Sequence, residues 1–277
     1  MFGNVKHALA LAALCSCAAM RADAGAWVPG PDSGYHKLAL NFFHSDDAFQ
    51  GAVAPEEFSN LNLSYYGEVG LLPRVALYGT AALTRLEQET DAGDSDFFGV
   101  GDVDVGLRFG LIEEPFVLSA AFLFKAPYLY EANRSLPPGN GQEDFEWRLL
   151  AGKSLNEWGY VGFESAYRLR LGDPSDELRF LLEYGVALSE RAYFRTKLDI
   201  IESLNNGDSI DQGIGNPTLN PEFDLGRIEL TAGWNLSPPE PVSRAGRFGL
   251  EFTYTRDLYG ENTLRGNTVQ FGVTYAY

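Results

Sequence analysis

The stretch Gly101-Asp-Val-Asp-Val-Gly-Leu-Arg-Phe109 decides the fold class. Its apolar residues occupy every second position: Val103, Val105, Leu107 and Phe109. The positions between them carry charged residues and one glycine: Asp102, Asp104, Gly106 and Arg108. Successive side chains of a β-strand point to opposite faces. The stretch therefore predicts a strand with one apolar face and one charged face.

The same alternation recurs in eleven further segments after Gly25, and no segment has sustained helical periodicity. Two architectures fit: a soluble sandwich or lipocalin-like barrel with its apolar face inward, and a membrane barrel with that face toward lipid. Charge placement favours the membrane barrel, because the charged residues on the apolar phase lie at strand ends: Arg85, Lys153, Glu202 and Arg256. The segments, at roughly 9 to 13 residues, also match the length of a tilted membrane strand.

The connections between these segments alternate in length. Those after even strands are short, except for a proline-rich stretch at 237–247, whereas those after odd strands include long loops at 45–57, 86–98, 126–143 and 203–222. Short turns on one side, long loops on the other and an even strand count are typical of bacterial outer-membrane barrels. We therefore predict an all-β fold, a transmembrane antiparallel up-and-down β-barrel of about twelve strands.

The N-terminal residues have the pattern of an export signal. Lys6 and His7 precede an apolar stretch at 8–20, and Ala22-Asp-Ala24 matches a signal-peptidase site. This predicts a signal peptide at 1–24, a barrel domain at 25–277 and a location in the bacterial outer membrane. A transmembrane anchor and a lipoprotein cleaved before Cys17 remain as alternatives.

Composition limits the function classes. The formal net charge of -17 disfavours nucleic-acid binding, and the sequence has no basic block to offset it. His36 and His44 are the histidines left after the predicted cleavage, and both cysteines leave with the signal peptide. We expect no metal site, no cofactor, no catalytic residue and no enzymatic activity.

The charged face of the strands predicts the lining of the lumen. The selected lining residues are Asp102, Asp104, Arg108, Glu146, Arg148, Glu164, Arg168, Arg179, Glu183, Arg195, Lys197, Asp199, Glu229 and Glu251. Nine further residues bring the total to eleven acids and twelve bases: Lys37, Glu68, Arg74, Lys125, Asp144, Arg170, Glu177, Arg227 and Arg247. Because the signs are interleaved and nearly balanced, we expect cross-strand ion pairs that fill a narrow lumen.

Much of the net charge then falls in the predicted loops. The second loop contributes the residues that we assign to the extracellular mouth: Glu87, Glu89, Asp91, Asp94 and Asp96. These carboxylates predict a cation preference at the entrance, or a role in binding divalent ions that bridge to lipopolysaccharide.

Two segments resemble known outer-membrane proteins. Gly99-Val-Gly-Asp-Val-Asp-Val-Gly-Leu-Arg-Phe-Gly-Leu111 resembles the Gly-x-Gly-Asp segment of the transporter-like barrels grouped as "meta-pathway of phenol degradation". Phe271-Gly-Val-Thr-Tyr-Ala-Tyr277 resembles the terminal signal that the barrel-assembly machinery recognises, with Tyr in place of the usual final Phe.

The resemblance implies a channel or transporter for small solutes, with apolar or aromatic compounds as one candidate class. The alternative is a non-conducting structural or surface-interaction barrel that acts through its acidic loops. Expected partners are outer-membrane lipid, lipopolysaccharide and, through Phe271 to Tyr277, the assembly machinery.

Overall fold

The computed structural model describes residues 25–91, 93–207, 215–236 and 246–277. The predicted signal peptide at 1–24 lies outside the described residues, as do parts of the predicted connections at 203–222 and 237–247.

Thirteen strand segments follow one another along the described chain. Their bounds are β1 Gly34–Ala48, β2 Glu57–Leu72, β3 Val75–Glu89, β4 Ser95–Val100, β5 Val103–Ile112, β6 Val117–Ala126, β7 Asp144–Ser154, β8 Tyr160–Arg170, β9 Glu177–Ala187, β10 Ala192–Ser203, β11 Asp224–Asn235, β12 Arg247–Glu261 and β13 Leu264–Ala276. One 3-10 turn, Asn156–Trp158, connects β7 to β8. Among the residues with a described structure, no helix is long and apolar enough to cross a membrane.

The sheet closes on itself. Consecutive strands pair antiparallel, except that β4 and β5 both pair with β3, and the pairing of β1 with β13 closes the cylinder. Segments β4 and β5 are two parts of one strand, because both pair with β3. The barrel therefore has twelve strands, and the predicted up-and-down β-barrel is confirmed.

A β-bulge joins β4 to β5. Between the pairs Thr80↔Asp104 and Leu83↔Val100, β3 has two residues and the partner strand has three. Gly101 keeps the ladder connected by donating its N–H to the Ala82 carbonyl at 3.1 Å. One extra residue reverses the alternation of faces. As a result Phe97 faces inward before the bulge, and Asp104 faces inward after it.

The two faces of the strands have opposite environments. Apolar side chains of the outer face are exposed, as in Leu40 at 48% and Leu107 at 36%. Charged side chains of the inner face are buried, as in Glu146 at 0% and Arg108 at 6%. This inversion is the pattern of a barrel whose outer surface contacts lipid.

Connections at the two ends of the barrel differ in length. One end, which we name the turn end, carries both ends of the barrel sheet, Gly34 and Tyr277, together with tight connections such as Pro73–Arg74. The other end, the loop end, carries the long connections at 127–143 and 204–223, whereas the connection from β11 to β12 is a long one at the turn end.

Two of the predicted long loops are shorter in the structure. The first loop spans 49–56 and the second 90–94. Both are short because β1, β2 and β3 are 15 or 16 residues long and continue as paired strands into the predicted loops.

Candidate functional site: the barrel interior

Glu146 on β7 is the centre of an arginine cluster. Its carboxylate accepts a hydrogen bond from Arg148, a second from Arg168 Nε at 2.7 Å, and lies 3.8 Å from Arg179 Nε. The Glu146 side chain is fully buried. A buried carboxylate is tolerated in such a place because several guanidinium groups replace its lost hydration.

A second cluster surrounds Glu251 on β12. Its carboxylate lies 2.6 Å from Lys37 Nζ and 3.4 Å from Arg195 Nη2, and it accepts a hydrogen bond from Tyr193 at 2.5 Å. Lys197 extends the network on β10, the strand that also carries Arg195, with its ammonium 3.6 Å from both Glu183 and Glu229.

The remaining predicted lining residues also have partners inside the barrel. Glu164 accepts from Arg148 at 2.9 Å, Asp199 from Arg227 at 2.7 Å and Asp104 from Thr80 at 3.0 Å. Asp102 lies 3.5 Å from Lys125 Nζ, and Arg108 donates to Glu68 at 2.7 Å. The structure thus places all fourteen predicted lining residues on the inner face, in ion pairs or hydrogen bonds with one another and with neighbouring side chains.

The wider tally of lumen charges is wrong in three positions. Arg74 lies on the turn between β2 and β3 with a positive φ of 69°, and its side chain is 54% exposed and pairs with Glu113. Arg247 is exposed at the first position of β12. Asp257, which the prediction omitted, is 8% exposed and accepts the N–H of Gly266. With Arg74 and Arg247 removed and Asp257 added, the predicted set of inner-face charges becomes twelve acids and ten bases.

One row of residues across the inner wall has no charged side chains. Register places six uncharged polar residues in one row across neighbouring strands: Thr84, Asn62, Asn41, Gln270, Thr253 and Thr231. Within this row, which we name the amide belt, Gln270 donates to Asn41, and Asn41 donates to Asn62 Oδ1 at 2.8 Å. Most of the inner charges lie on the strands from β5 to β11, whereas the belt strands β1, β2 and β12 carry Lys37, Glu68, Glu251 and Asp257. The sequence did not indicate this division, because it depends on strand register.

The turn end of the lumen is covered by the segment Gly25–Ser33. Ala26 is 2% exposed and packs in an apolar cluster with inward side chains of the wall: Tyr78, Ala121, Leu123 and Leu150. Trp27 packs against this cluster and contacts the Tyr160 ring edge-on at 5.8 Å.

The loop end is covered by the connection at 127–143. Leu136 from this connection is fully buried in a cluster with inward side chains of four strands: Phe58, Leu86, Phe97 and Leu264. Tyr130 fixes the connection by donating to Asp102 at 2.6 Å. Burial and this bond to a carboxylate raise the pKa of Tyr130.

Sequence reasoning missed both apolar clusters, although a signal was present. Phe58, Leu86, Leu123 and Leu150 are apolar residues on the phase that is otherwise polar. Such residues point into a lumen and mark the places where a chain segment fills it.

The predicted mouth residues are divided between the loop and the strands. Asp91 and Asp94 lie in the connection between β3 and β4, whereas Glu87 and Glu89 belong to β3 and Asp96 to β4. These three strand residues are exposed on the outer face, on the same side of β3 and β4 as the apolar Leu83 and Phe98. The loop prediction placed them at the entrance because it ended β3 too early.

His36 and His44 lie on the outer face. His36 stacks against Tyr65, Tyr275 and Tyr277, and His44 lies 3.6 Å from Glu57. In the described part of the chain, no group of three or more His, Cys, Asp or Glu side chains is arranged to hold a metal ion.

Solved structures share this fold. The chain aligns with an outer membrane channel from Pseudomonas putida F1 over 91% of its length and 97% of that chain, with a TM-score of 0.69 and 15% identity. The NanC porin aligns over 85% and 98%, with a TM-score of 0.51 and 9% identity. The translocator domain of the autotransporter NalP from Neisseria meningitidis aligns over 91% of each chain, with a TM-score of 0.52 and 10% identity.

No protein-family model and no curated protein matches the chain. At these identities the likeness establishes the fold, which is that of outer-membrane barrels. The resemblance to the phenol-degradation grouping stays a prediction.

Proposed function

We propose that the protein is a channel for small solutes in a bacterial outer membrane. The observation that carries this proposal is the closed barrel with an apolar outer face and a charged, hydrogen-bonded inner face. A closed barrel leaves no unpaired backbone edge in lipid. A polar inner wall gives a solute a path that avoids the hydrocarbon region.

Two of the aligned structures support this proposal, since they are described as a channel and a porin. In the proposed orientation the turn end faces the periplasm, and the loop end faces the medium. Export by the predicted signal peptide and assembly through Phe271 to Tyr277 belong to the same proposal. Phe271 and Tyr277 are exposed on the outer face, at 60% and 45%, where another protein could contact them.

The solute class follows from the resemblance and from the ends of the lumen. Apolar or aromatic compounds would first contact the cluster that contains Phe58, Phe97 and Leu136, and on leaving would contact Trp27 and its neighbours. We include this class in the proposal as the first to be assayed.

Conductance in planar lipid bilayers tests the proposal. The folded mature protein should produce discrete current steps, and heat-denatured protein from the same preparation should produce none. Strand content measured by circular dichroism ensures that the added protein is folded. A folded preparation that never conducts would contradict the proposal that the protein is a channel.

A second candidate is a non-conducting barrel that acts through its surface, and one observation favours it. Both ends of the lumen are covered by side chains, and the inner charges are paired with one another. Such a barrel would bind lipopolysaccharide through divalent ions held by the exposed acids of the loop end. Binding to lipopolysaccharide without conductance would support this candidate.

We retain the inference that the protein is not an enzyme. His36 and His44, the histidines that could act as general bases, lie on the outer face next to tyrosines and to Glu57 and do not reach the lumen. The proposal also includes no cofactor.

A further inference from the structure

The segment Gly25–Ser33 crosses the whole opening at the turn end. It enters from β1, where Gly34 N–H donates to the Tyr277 carbonyl at 3.0 Å and the Ser33 carbonyl accepts from Gly70 at 2.9 Å. It ends against β7 and β8, where Trp27 contacts Tyr160. Strands β1 and β8 are six positions apart in a ring of twelve, so the segment spans the opening from one side to the other.

Two glycines allow this close approach. A methyl group added at Gly152 would overlap the Trp27 ring, and one added at Gly25 would overlap Glu164 Oε1. The first residue of the segment therefore lies directly against the Glu164 carboxylate, inside the lumen.

The Glu164 carboxylate has room for a second cationic partner. Its Oε2 atom accepts from Arg148 Nη1 at 2.9 Å, while Oε1 is the atom that faces Gly25. Arg148 is itself shared with Glu146. The inner-face charges counted above are twelve acids and ten bases, which leaves an excess of two acids.

Cleavage of the precursor would supply a positive charge at this position. Hydrolysis of the Ala24–Gly25 peptide bond consumes one water molecule and leaves a carboxylate on Ala24 and an amine on Gly25. Near neutral pH the amine takes up a proton and becomes an ammonium group with three N–H donors.

We propose that Glu164 is an internal binding site for the α-ammonium group of the mature chain, and that this ion pair holds Gly25–Ser33 across the turn end as a plug. The inference rests on the proposed export and does not require that the barrel conducts. Before cleavage Gly25 carries a neutral amide, so the ion pair forms after processing.

Amine labelling of the folded protein tests the ion pair. Protein is purified from outer membranes, its intact mass is measured, and it is treated at pH 7 with a limiting amount of an acylating reagent that modifies uncharged amines. We expect a mass that corresponds to residues 25–277. Because Glu164 stabilises the unreactive ammonium form, Glu164→Gln should acylate at Gly25 about tenfold faster than wild type.

Glu114→Gln is the matched control, since Glu114 is an exposed acid at the same end of the barrel. This variant should label at the wild-type rate. If Glu164→Gln does not fold, Gly25→Ala provides the second test, because its methyl group displaces the ammonium from Glu164 and should also accelerate labelling.

Two results would overturn the inference: a mature chain that begins at another residue, or equal labelling rates at Gly25 in wild type and the folded variants. Conductance is not a readout here. A barrel that never conducts would therefore end the proposed function and leave this inference intact.

Discussion

Lys37 Nζ lies 2.6 Å from the Glu251 carboxylate, although β13 runs between the two strands that carry them. Gly272 on β13 makes this contact possible, because a methyl group at that position would lie 2.9 Å from Lys37 Cε. This ion pair joins β1 to β12 across β13, at the junction of the first and last strands. The Glu251 carboxylate also binds Arg195 and Tyr193. Lys37 and Glu251 therefore differ in the number of contacts that each would leave unpaired if removed.

This inequality predicts different costs for removing each partner. Lys37→Met should lower the free energy of unfolding by about 1.5 to 3 kcal/mol, because Glu251 keeps its other donors. Glu251→Gln should cost more, about 3 to 5 kcal/mol, because it leaves Lys37 and Arg195 without their carboxylate. Urea unfolding in lipid vesicles measures both values. Equal losses would contradict the central position of Glu251.

On the outer face of β5, the cost in unfolding free energy of an introduced charge should depend on its depth in the membrane. Leu107→Arg places a charge near the middle of the strand and should destabilise the barrel by about 2 to 4 kcal/mol. Leu111→Arg is the matched control, on the same face but near the turn end, and should cost no more than about 1 kcal/mol. Both leucines are exposed, at 36% and 49%. Similar unfolding free energies for the two variants would show that the face is assigned wrongly.

The faces of the strands could be predicted because alternation is local information. Leu107 and Arg108 are assigned to opposite faces from two adjacent letters, and the structure places them so. The contacts around Lys37 and Glu251 could not be predicted, since they depend on how far β1 and β12 slide along β13. The same limit applies to the amide belt.

Inward apolar residues of the strands indicate where the lumen is filled, but they do not indicate which chain segment fills it. Ala26 and Leu136 lie outside the strands, where alternation gives no direction for a side chain. The bulge between β4 and β5 shifted the phase by one residue, which hid the inward position of Phe97.

The connection at 127–143 should detach from the barrel interior when its buried residue Leu136 is replaced by a polar residue. Leu136→Asn places an amide in the apolar cluster, and we expect the free energy that holds the connection to fall by about 2 to 5 kcal/mol. Limited proteolysis should then cut within 127–143 while the strands remain intact. Leu129→Asn is the control, because Leu129 belongs to the same connection and is 60% exposed. Equal cleavage of both variants would contradict the anchor.

Asp176 predicts an acid-sensitive contact at the loop end. Burial works against its charge, but hydrogen bonds from Arg170 N–H, Asn206 and Tyr167 lower the pKa of Asp176 below the usual 3.8. A lowered pKa means that the contact stabilises the fold above pH 3.8 and loses this contribution as the pH falls through the lowered value. Hydrogen exchange at the Arg170 amide should therefore accelerate on acidification, beyond its intrinsic pH dependence.

Asp176→Asn should remove this acid response and expose the Arg170 amide at neutral pH as well. Asp173→Asn is the control, since Asp173 is an exposed acid in the same loop. A variant Asp176→Asn that keeps the wild-type acid response would contradict the assignment.

The amide belt has a consequence for the order of assembly. It crosses the junction of β1 and β13, the chain ends that meet when the cylinder is completed, through Asn41 and Gln270. Side chains without net charge join there without the large dehydration cost of ions. In a newly inserted sheet, most of the charged residues from β5 to β11 can pair within one continuous stretch of chain, although Arg108 and Arg195 pair with Glu68 and Glu251 outside it. The pairing of β1 with β13, which closes the barrel, then involves mainly neutral side chains, and the ion pair of Lys37 with Glu251 is a charged contact across this junction.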